Sequence, residues 1–385
     1  MSGSIIPAAG SPVAVTVAGV GSFVPHQRVT NRQILDRVRP ARPDGRLLEP
    51  EWIERHVGIT ERRLDFDFTN HHKRARSDGG LYDGDLALRA ARKALDDARV
   101  DAAEVDLLVH VTTTPDTIAS QDHFRFLTTK LGLARETALV HHNLGCAGLA
   151  AGFRTAATYL VALAPATALV VASNCPSGYF APEANPHYSS HPSGLGWLVP
   201  LVFADGAGAA VLRSAPADAH ERHRGLCSVR YETDPDTELV TYPAGGSLHR
   251  TSAANVGDHL FLMDGKRVAD VFAPLMQRNM QMLEEDWPLA IKPIVGDDFD
   301  PSHVARWYLH QANGVVVRQA GELLGLPSDR VPLNVDRYGN TSAASTLLLL
   351  DEDRRAGRVH PHDLVVFMWI GAGNGAMNGY AALVL

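Results

Sequence analysis

Cysteine is scarce in this chain: three residues in 385, Cys146, Cys175 and Cys227. Three thiols cannot build a disulfide framework, which excludes a disulfide-stapled secreted domain and favours a reducing compartment. Positive charge is not in excess either. Lys and Arg number 36 against 43 Asp and Glu, for a net charge of −7. Binders of nucleic acid or anionic membrane need a basic footprint, so neither class fits. No stretch approaches about 18 apolar residues free of Gly, Pro and charge, so no transmembrane helix is expected. Residues 1–12 have no basic segment and no apolar core, and do not read as a secretory signal. A cytoplasmic protein is the expectation. A G-x-S-x-G elbow and a G-x-x-x-x-G-K-[ST] loop are also missing, which weighs against a serine hydrolase or an NTPase.

What is present is ordinary globular composition, 45% hydrophobic and 21% charged. The length allows two to three domains at about 150 residues each. The β-branched run 13–18 reads as a buried strand ending in a turn at Gly19 and Gly21. Residues 85–98 carry Leu88, Ala91 and Leu95 at helical spacing. Strands are predicted at 107–113 and 168–172, and a buried, Ala-rich helix at 147–163. The stretch 201–212 reads as an apolar run, a Gly turn and a second run. In the C-terminal part, 307–310 ends a strand, 311–324 and 342–355 are helices, and 364–370 is a strand before the Gly-rich turn at 371. Both halves thus finish on a strand, a Gly-rich turn and an Ala/Val/Leu strand, a sign of a duplicated α/β unit. Alternating strands and helices predict mostly parallel sheet. The halves are assigned to 1–214 and 225–385, joined by the patternless segment 215–224. Residues 174–200, rich in Pro, read as a long loop of the kind that often covers a site.

Cys146 is the most informative position. It lies in the sequence NLGCAGL (143–149), just before the Ala-rich helix. The macrodipole and unpaired N–H groups of a helix start favour thiolate, so the thiol pKa is expected to fall from about 8.5 toward neutral. The small neighbours Gly145, Ala147 and Gly148 leave room for a substrate chain. Two more segments join it: His310 between a strand end and a helix start, and Asn340 in a turn before a helix. Open α/β sheets place ligands at such edges. Taken singly, each of the three residues also fits a bland role: a packed thiol, a core histidine, a turn former.

Eight landmarks in order carry a resemblance. They are 19–25 (GVGSFVP), 51–53 with 58–59 (EWI, GI), 111–116 (VTTTPD), 146–148 (CAG), 203–211 (FADGAGAAV), 263–265 (MDG), 310–313 (HQAN) and 338–345 (YGNTSAAS). Over nearly its whole length the chain resembles the β-ketoacyl synthase III enzymes of the thiolase superfamily. The resemblance implies a five-layered αβαβα fold of two pseudo-repeated halves, a homodimer, and catalysis by Cys146, His310 and Asn340. It implies an oxyanion hole from the backbone N–H groups of Cys146 and Asn374, and substrate contacts at Trp52, Asn313 and Gly373. Substrates would be acyl-CoA or acyl carrier protein thioesters, with no cofactor and no metal. Cys146 would take an acyl group, and His310 and Asn340 would stabilise the enolate formed as a malonyl-type thioester loses CO2.

Cations usual in the family are replaced here by Val315, Asp270, His56, Thr60 and Gly178, although Arg55, Arg62 and Arg63 are near. Acidic carriers and CoA phosphates need positive partners. A role in secondary metabolism is therefore expected rather than fatty-acid initiation. Two alternatives stay open: an acyltransferase passing the Cys-bound acyl group to an O, N or S nucleophile, and a non-catalytic subunit of a heterodimeric synthase. Elsewhere, His220, His223 and Cys227 have a spacing short of the four ligands of a structural zinc site. His187 and His191 read as solvated. His141, His142 and Asn143 either line the active site or form a buried polar strand end.

Overall fold

The structure is a computed structural model that describes residues 13–38, 46–70, 72–117, 120–180, 199–216, 224–241, 262–296, 298–373 and 375–385. The strands are β1 (Val13–Phe23), β2 (Arg28–Thr30), β3 (Glu61–Arg63), β4 (Leu107–Val111), β5 (Ala138–His142), β6 (Thr167–Asn174), β7 (Gly206–Pro216), β8 (Gly225–Asp234), β9 (Val240–Thr241), β10 (Leu262–Met263), β11 (Arg306–Leu309), β12 (Leu364–Gly373) and β13 (Gly375–Val384). The α-helices are α1 (Asn31–Val38), α2 (Pro50–Val57), α3 (Asp83–Ala98), α4 (Ser120–Leu131), α5 (Gly148–Ala162), α6 (Val199–Val202), α7 (Gly265–Ala290), α8 (Lys292–Val295), α9 (Gly314–Leu323), α10 (Val335–Tyr338) and α11 (Ser345–Arg355). No helix among the described residues is long and apolar enough to cross a membrane.

Two sheets carry the fold. The first has the order β1-β7-β6-β4-β5 and the second β11-β12-β13-β8. In the first, β4 runs parallel to β5 and β6, while β7 is antiparallel to β6 and β1. In the second, β11 and β12 are parallel and β13 is antiparallel to β12 and β8. Order and direction therefore repeat: β4-β6-β7-β1 corresponds to β11-β12-β13-β8. The expectation of mostly parallel sheet is corrected. Each half turns back on itself in antiparallel pairs, and alternation of helix and strand does not encode that reversal. The segment 215–224, expected to join the halves, is described only at Ala215, Pro216 and Arg224.

Five layers result. Helix α5 lies between the sheets with α11, in one core with Val109, Val111, Val170, Phe367 and Trp369. Its Leu149, Phe153 and Leu160 are at most 1% exposed, each worth about 1.5–3 kcal/mol of transfer free energy. A helix that is apolar on nearly every face, with only Arg154, Thr155, Thr158 and Tyr159 polar or amphipathic, has little solvent face to offer, so a central layer is its stable place. Helix α3 covers the outer face of the first sheet with Leu86, Leu88, Ala91 and Leu95 against Leu108 and Leu169. Helix α7 covers the second sheet with Met276, Leu283 and Trp287 against Trp307 and Val366.

Gly19 and Gly21 do not form a turn. They lie inside β1, next to a register shift between Val17 and Gly19. A Cβ at Gly19 would sit 2.4 Å from the Ala98 nitrogen, and one at Gly21 2.4 Å from the Ala94 nitrogen. The glycines let α3 press on the strand. The stretch 201–212 begins as the short helix α6 and becomes strand only from Gly206. Of the long loop, Pro176–Phe180 is a 3-10 turn, and 181–198, with His187 and His191, lies outside the described residues.

Candidate active site

One cavity of about 330 Å3 is lined by Cys146, His310 and Asn340 together, and also by Trp52 and Asn313. Chain ends and helix mouths bring them there. Cys146 follows β5 and sits just before Ala147, the N-cap of α5. His310 directly follows β11, and its N–H donates to the Met368 carbonyl on β12 at 2.8 Å. Asn340 is pinned by its own backbone: its N–H donates to Val202 O, and its O accepts from Ala204 N–H, both at 2.9 Å. Gly145 and Gly148, expected to leave room for a substrate chain, make room for close packing instead, as does Gly371 opposite; a Cβ on Gly148 would meet Val111 Cγ1 at 2.7 Å. A Cβ on Gly145 would meet Ala372 O at 2.2 Å, and one on Gly371 would meet Cys146 N at 2.8 Å. At Gly145 the space is filled by the end of β12, and at Gly371 by the nucleophile turn itself, so strand and turn brace each other.

The sulfur has a partner that sequence reading missed. Ser342 Oγ donates to Cys146 Sγ at 3.4 Å. Ser342 has φ 56°, a left-handed conformation rare for a residue with a side chain. Its N–H donates to Asn340 Oδ1 at 2.8 Å, which holds the turn. Serine at 342 was visible within the 338–345 motif, but nothing in the motif announces a positive φ. His310 Nδ1 lies 3.3 Å from Ser345 Oγ. When Ser345 donates to Nδ1, the hydrogen sits on Nε2.

The expected fall in the Cys146 pKa is corrected. Burial pushes the thiol up to about 11, against smaller lowering by the hydroxyl of Ser342, its own backbone N–H and Asn340. Burial drives His310 down to about 3. The resting site thus holds a neutral thiol and a neutral imidazole. The helix-start field is a local effect, whereas the desolvating walls come from remote elements: Trp52 and Val57 of α2, and Val268 and Phe272 of α7. Val268 and Phe272, four residues apart on one helix face, were legible as an apolar pair but not as cavity wall.

Other expected positions resolve individually. Trp52 stacks on His56, ring centroids 4.5 Å apart. Asn313 caps α9, its side chain accepting from Val316 N–H at 2.8 Å. Gly373 ends β12, two residues beyond the wall residue Gly371. Asn374 lies outside the described residues, as do His220 and His223. Cys227 is buried, its thiol donating to Gly225 O at 3.4 Å. His141 and His142 do not line the cavity; His142 Nε2 lies 2.9 Å from Thr155 Oγ1, and Asn143 is exposed. They are a polar strand end. Of the nearby arginines, Arg62 is fully buried, donating to Asn31 Oδ1 at 2.7 Å and Leu201 O at 2.9 Å. Arg55 is exposed, and so is Arg318 on α9, whose Nη2 would lie 3.0 Å from a Cβ on Gly58 at the end of α2.

Residues 297–383 match the family model "3-Oxoacyl-[acyl-carrier-protein (ACP)] synthase III C terminal". A β-ketoacyl-[acyl-carrier-protein] synthase III of Rhodospirillum rubrum is 31% identical over 361 residues, 93% of this chain and 95% of that protein. The chain belongs to the β-ketoacyl synthase III family. Membership places it among the acyltransferases. A crystal structure of 3-oxoacyl-(acyl carrier protein) synthase III from Pseudomonas aeruginosa has 26% identity and TM-score 0.71, covering 96% of this chain and 98% of that one. A priming β-ketosynthase from a polyketide biosynthetic pathway has 25% identity and TM-score 0.72, covering 96% of both chains. The five layers described above are the thiolase fold of these synthase III structures.

Proposed function

We propose that this synthase III-family enzyme condenses an acyl thioester with a malonyl-type thioester, using Cys146, His310 and Asn340. The observation that carries the reading is their convergence on one cavity whose apolar walls suit an acyl chain. Cys146 attacks the acyl thioester and forms a new thioester; its proton leaves with the departing carrier thiol. The malonyl-type thioester then loses CO2. Its carbonyl oxygen, negative as the enolate forms, accepts hydrogen bonds from His310 Nε2–H and the Asn340 amide. The enolate carbon attacks the acyl-Cys146 carbonyl, and the released sulfur takes up a proton. A neutral His310 suits this role, because a donor that keeps its proton stabilises the oxyanion. The backbone N–H groups of Cys146 and Asn374 serve as the oxyanion hole for the attack on the acyl carbonyl.

We place the reaction in secondary metabolism, such as polyketide priming. The support is the replacement of family cations by Val315, Asp270, His56, Thr60 and Gly178, together with the inward burial of Arg62. Arg55 and Arg318 are two exposed cations near α2 for a carrier phosphate. We read the chain as halves 1–214 and 225–385, and its partner as a second copy. Among the described residues β5 is an edge strand of the first sheet, with Leu139 43% exposed, an edge that invites pairing. Three free thiols suit the cytoplasm.

The test is CO2 release from malonyl-CoA and malonyl carrier protein by Asn340→Ala. Release should fall about 100-fold or more, the usual cost of one oxyanion donor, while acyl-Cys146 formation should slow far less, by about the 10-fold or less that loosening the Ser342 turn would cost. Full product formation by the variant would instead indicate acyl transfer without decarboxylation.

A further inference from the structure

Thr113 and Asn174 also line the catalytic cavity, and the mechanism uses neither. They arrive there together. Strand β4 pairs in parallel with β6, Val111 opposite Ala172, and Asn174 ends β6 two residues further on. Thr113 lies the same two residues beyond Val111. Side chains two apart along a strand share a face, so Thr113 and Asn174 stand side by side where the strands reach the cavity. On its other side β4 pairs with β5, the strand that leads to Cys146. The nucleophile and the polar pair thus come from three adjacent strands.

Both residues keep hydrogen-bonding capacity in reserve. Asn174 is 3% exposed, and its Nδ2 donates to Ala204 O at 3.1 Å. A carbonyl can only accept, so the amide's orientation is fixed and Oδ1 is left as the free acceptor. Thr113 is half-buried, and among the described residues its hydroxyl has no hydrogen-bond partner. Its neighbours are committed elsewhere: Thr112 and Thr114 donate to Asp83 Oδ2 at 2.9 and 3.0 Å. Much of the remaining cavity wall is apolar, as at Val202, Phe203, Leu239 and Met263.

We propose that Thr113 and Asn174 form a polar subsite that selects an acyl group carrying a hydroxyl. The inference rests on the condensing reading above and names its acyl donor. A hydroxyl complements the pair: it donates to Asn174 Oδ1 and accepts from Thr113 Oγ1–H. A ketone has no hydrogen to offer the amide oxygen, and a carboxylate meets that oxygen with charge of the same sign. A plain alkyl chain lying there shuts the pair off from water and makes none of its bonds. A site built to bond a substrate hydroxyl therefore discriminates against the analogue lacking it, because its own polar groups are left unpaired.

The test times acylation of Cys146 in the full chain by intact-mass spectrometry. Each hydroxyacyl-CoA is paired with its alkyl parent: 3-hydroxybutyryl with butyryl, and 6-hydroxyhexanoyl with hexanoyl. At least one hydroxyacyl-CoA should react about 10-fold faster than its parent, the cost of one buried polar group left unpaired. Thr113→Val trades the hydroxyl for a methyl and should collapse that ratio toward one, whereas Thr113→Ser should keep it. Equal or slower rates for both hydroxyacyl-CoAs, or a preference that Thr113→Val leaves intact, overturn this inference while the acylation of Cys146 stands. No adduct from any thioester overturns the reading beneath it as well. The wild-type ratio decides even if a variant fails to fold.

Discussion

Ser342 Oγ lies 3.4 Å from Cys146 Sγ and donates to it, from a backbone held at φ 56°. A hydroxyl aimed at sulfur stabilises thiolate more than thiol, so it works against the burial that raises this group. Ser342→Ala should slow acylation of Cys146 at pH 7 about 3- to 10-fold, the effect of a hydrogen bond worth about 0.5–1.5 kcal/mol. Alkylation by iodoacetamide across pH checks the cause. The wild-type rate should climb with pH toward about 11 with no neutral plateau, and the variant's curve should lie further to the alkaline side.

His310 ties the site to acid stability. Its folded pKa, near 3, lies below its ordinary 6.5. The unfolded chain therefore binds a proton that the folded chain refuses. This contribution is fully present above pH 6.5 and is lost as pH falls toward 3. Between pH 7 and pH 5 the loss amounts to about 2 kcal/mol. Urea unfolding of wild type and His310→Gln at both pH values checks it: the variant should lose less stability on acidification. Equal losses would place the buried, neutral imidazole in doubt.

Asn313 was expected to touch substrate, yet its side-chain oxygen is committed to Val316 N–H at the start of α9. Asn313→Ala should cost about 1 kcal/mol of stability, the usual worth of an N-cap. Asn313→Asp, which keeps the acceptor, should restore it. Thermal melts measure both. The kcat of the alanine variant should fall far less than that of Asn340→Ala.

That Cys146, His310 and Asn340 belong together was legible because each sits in a short motif of the resemblance; the structure brings the three to one cavity. The electrostatics were not legible. A helix-start argument at Cys146 sees only its neighbours in sequence, while Trp52, Phe272 and Ile370, which help wall the cavity, are drawn from distant segments. Gly19 and Gly21 were read as a turn because a glycine that makes room for a helix looks the same in sequence as one that bends a chain. Sheet direction was misjudged for a related reason: β6–β7 and β12–β13 reverse the chain, and helix–strand alternation carries no sign of it.

On the proposed mechanism, Cys146 is the group that carries the acyl chain. Intact-mass spectrometry after incubation with a panel of acyl-CoAs, followed by peptide mapping, tests it most directly. One acyl adduct per chain should form, located on Cys146 and absent from Cys146→Ala, and it should disappear when a malonyl thioester is added. An adduct on Cys175 or Cys227, or none with any thioester, would contradict it.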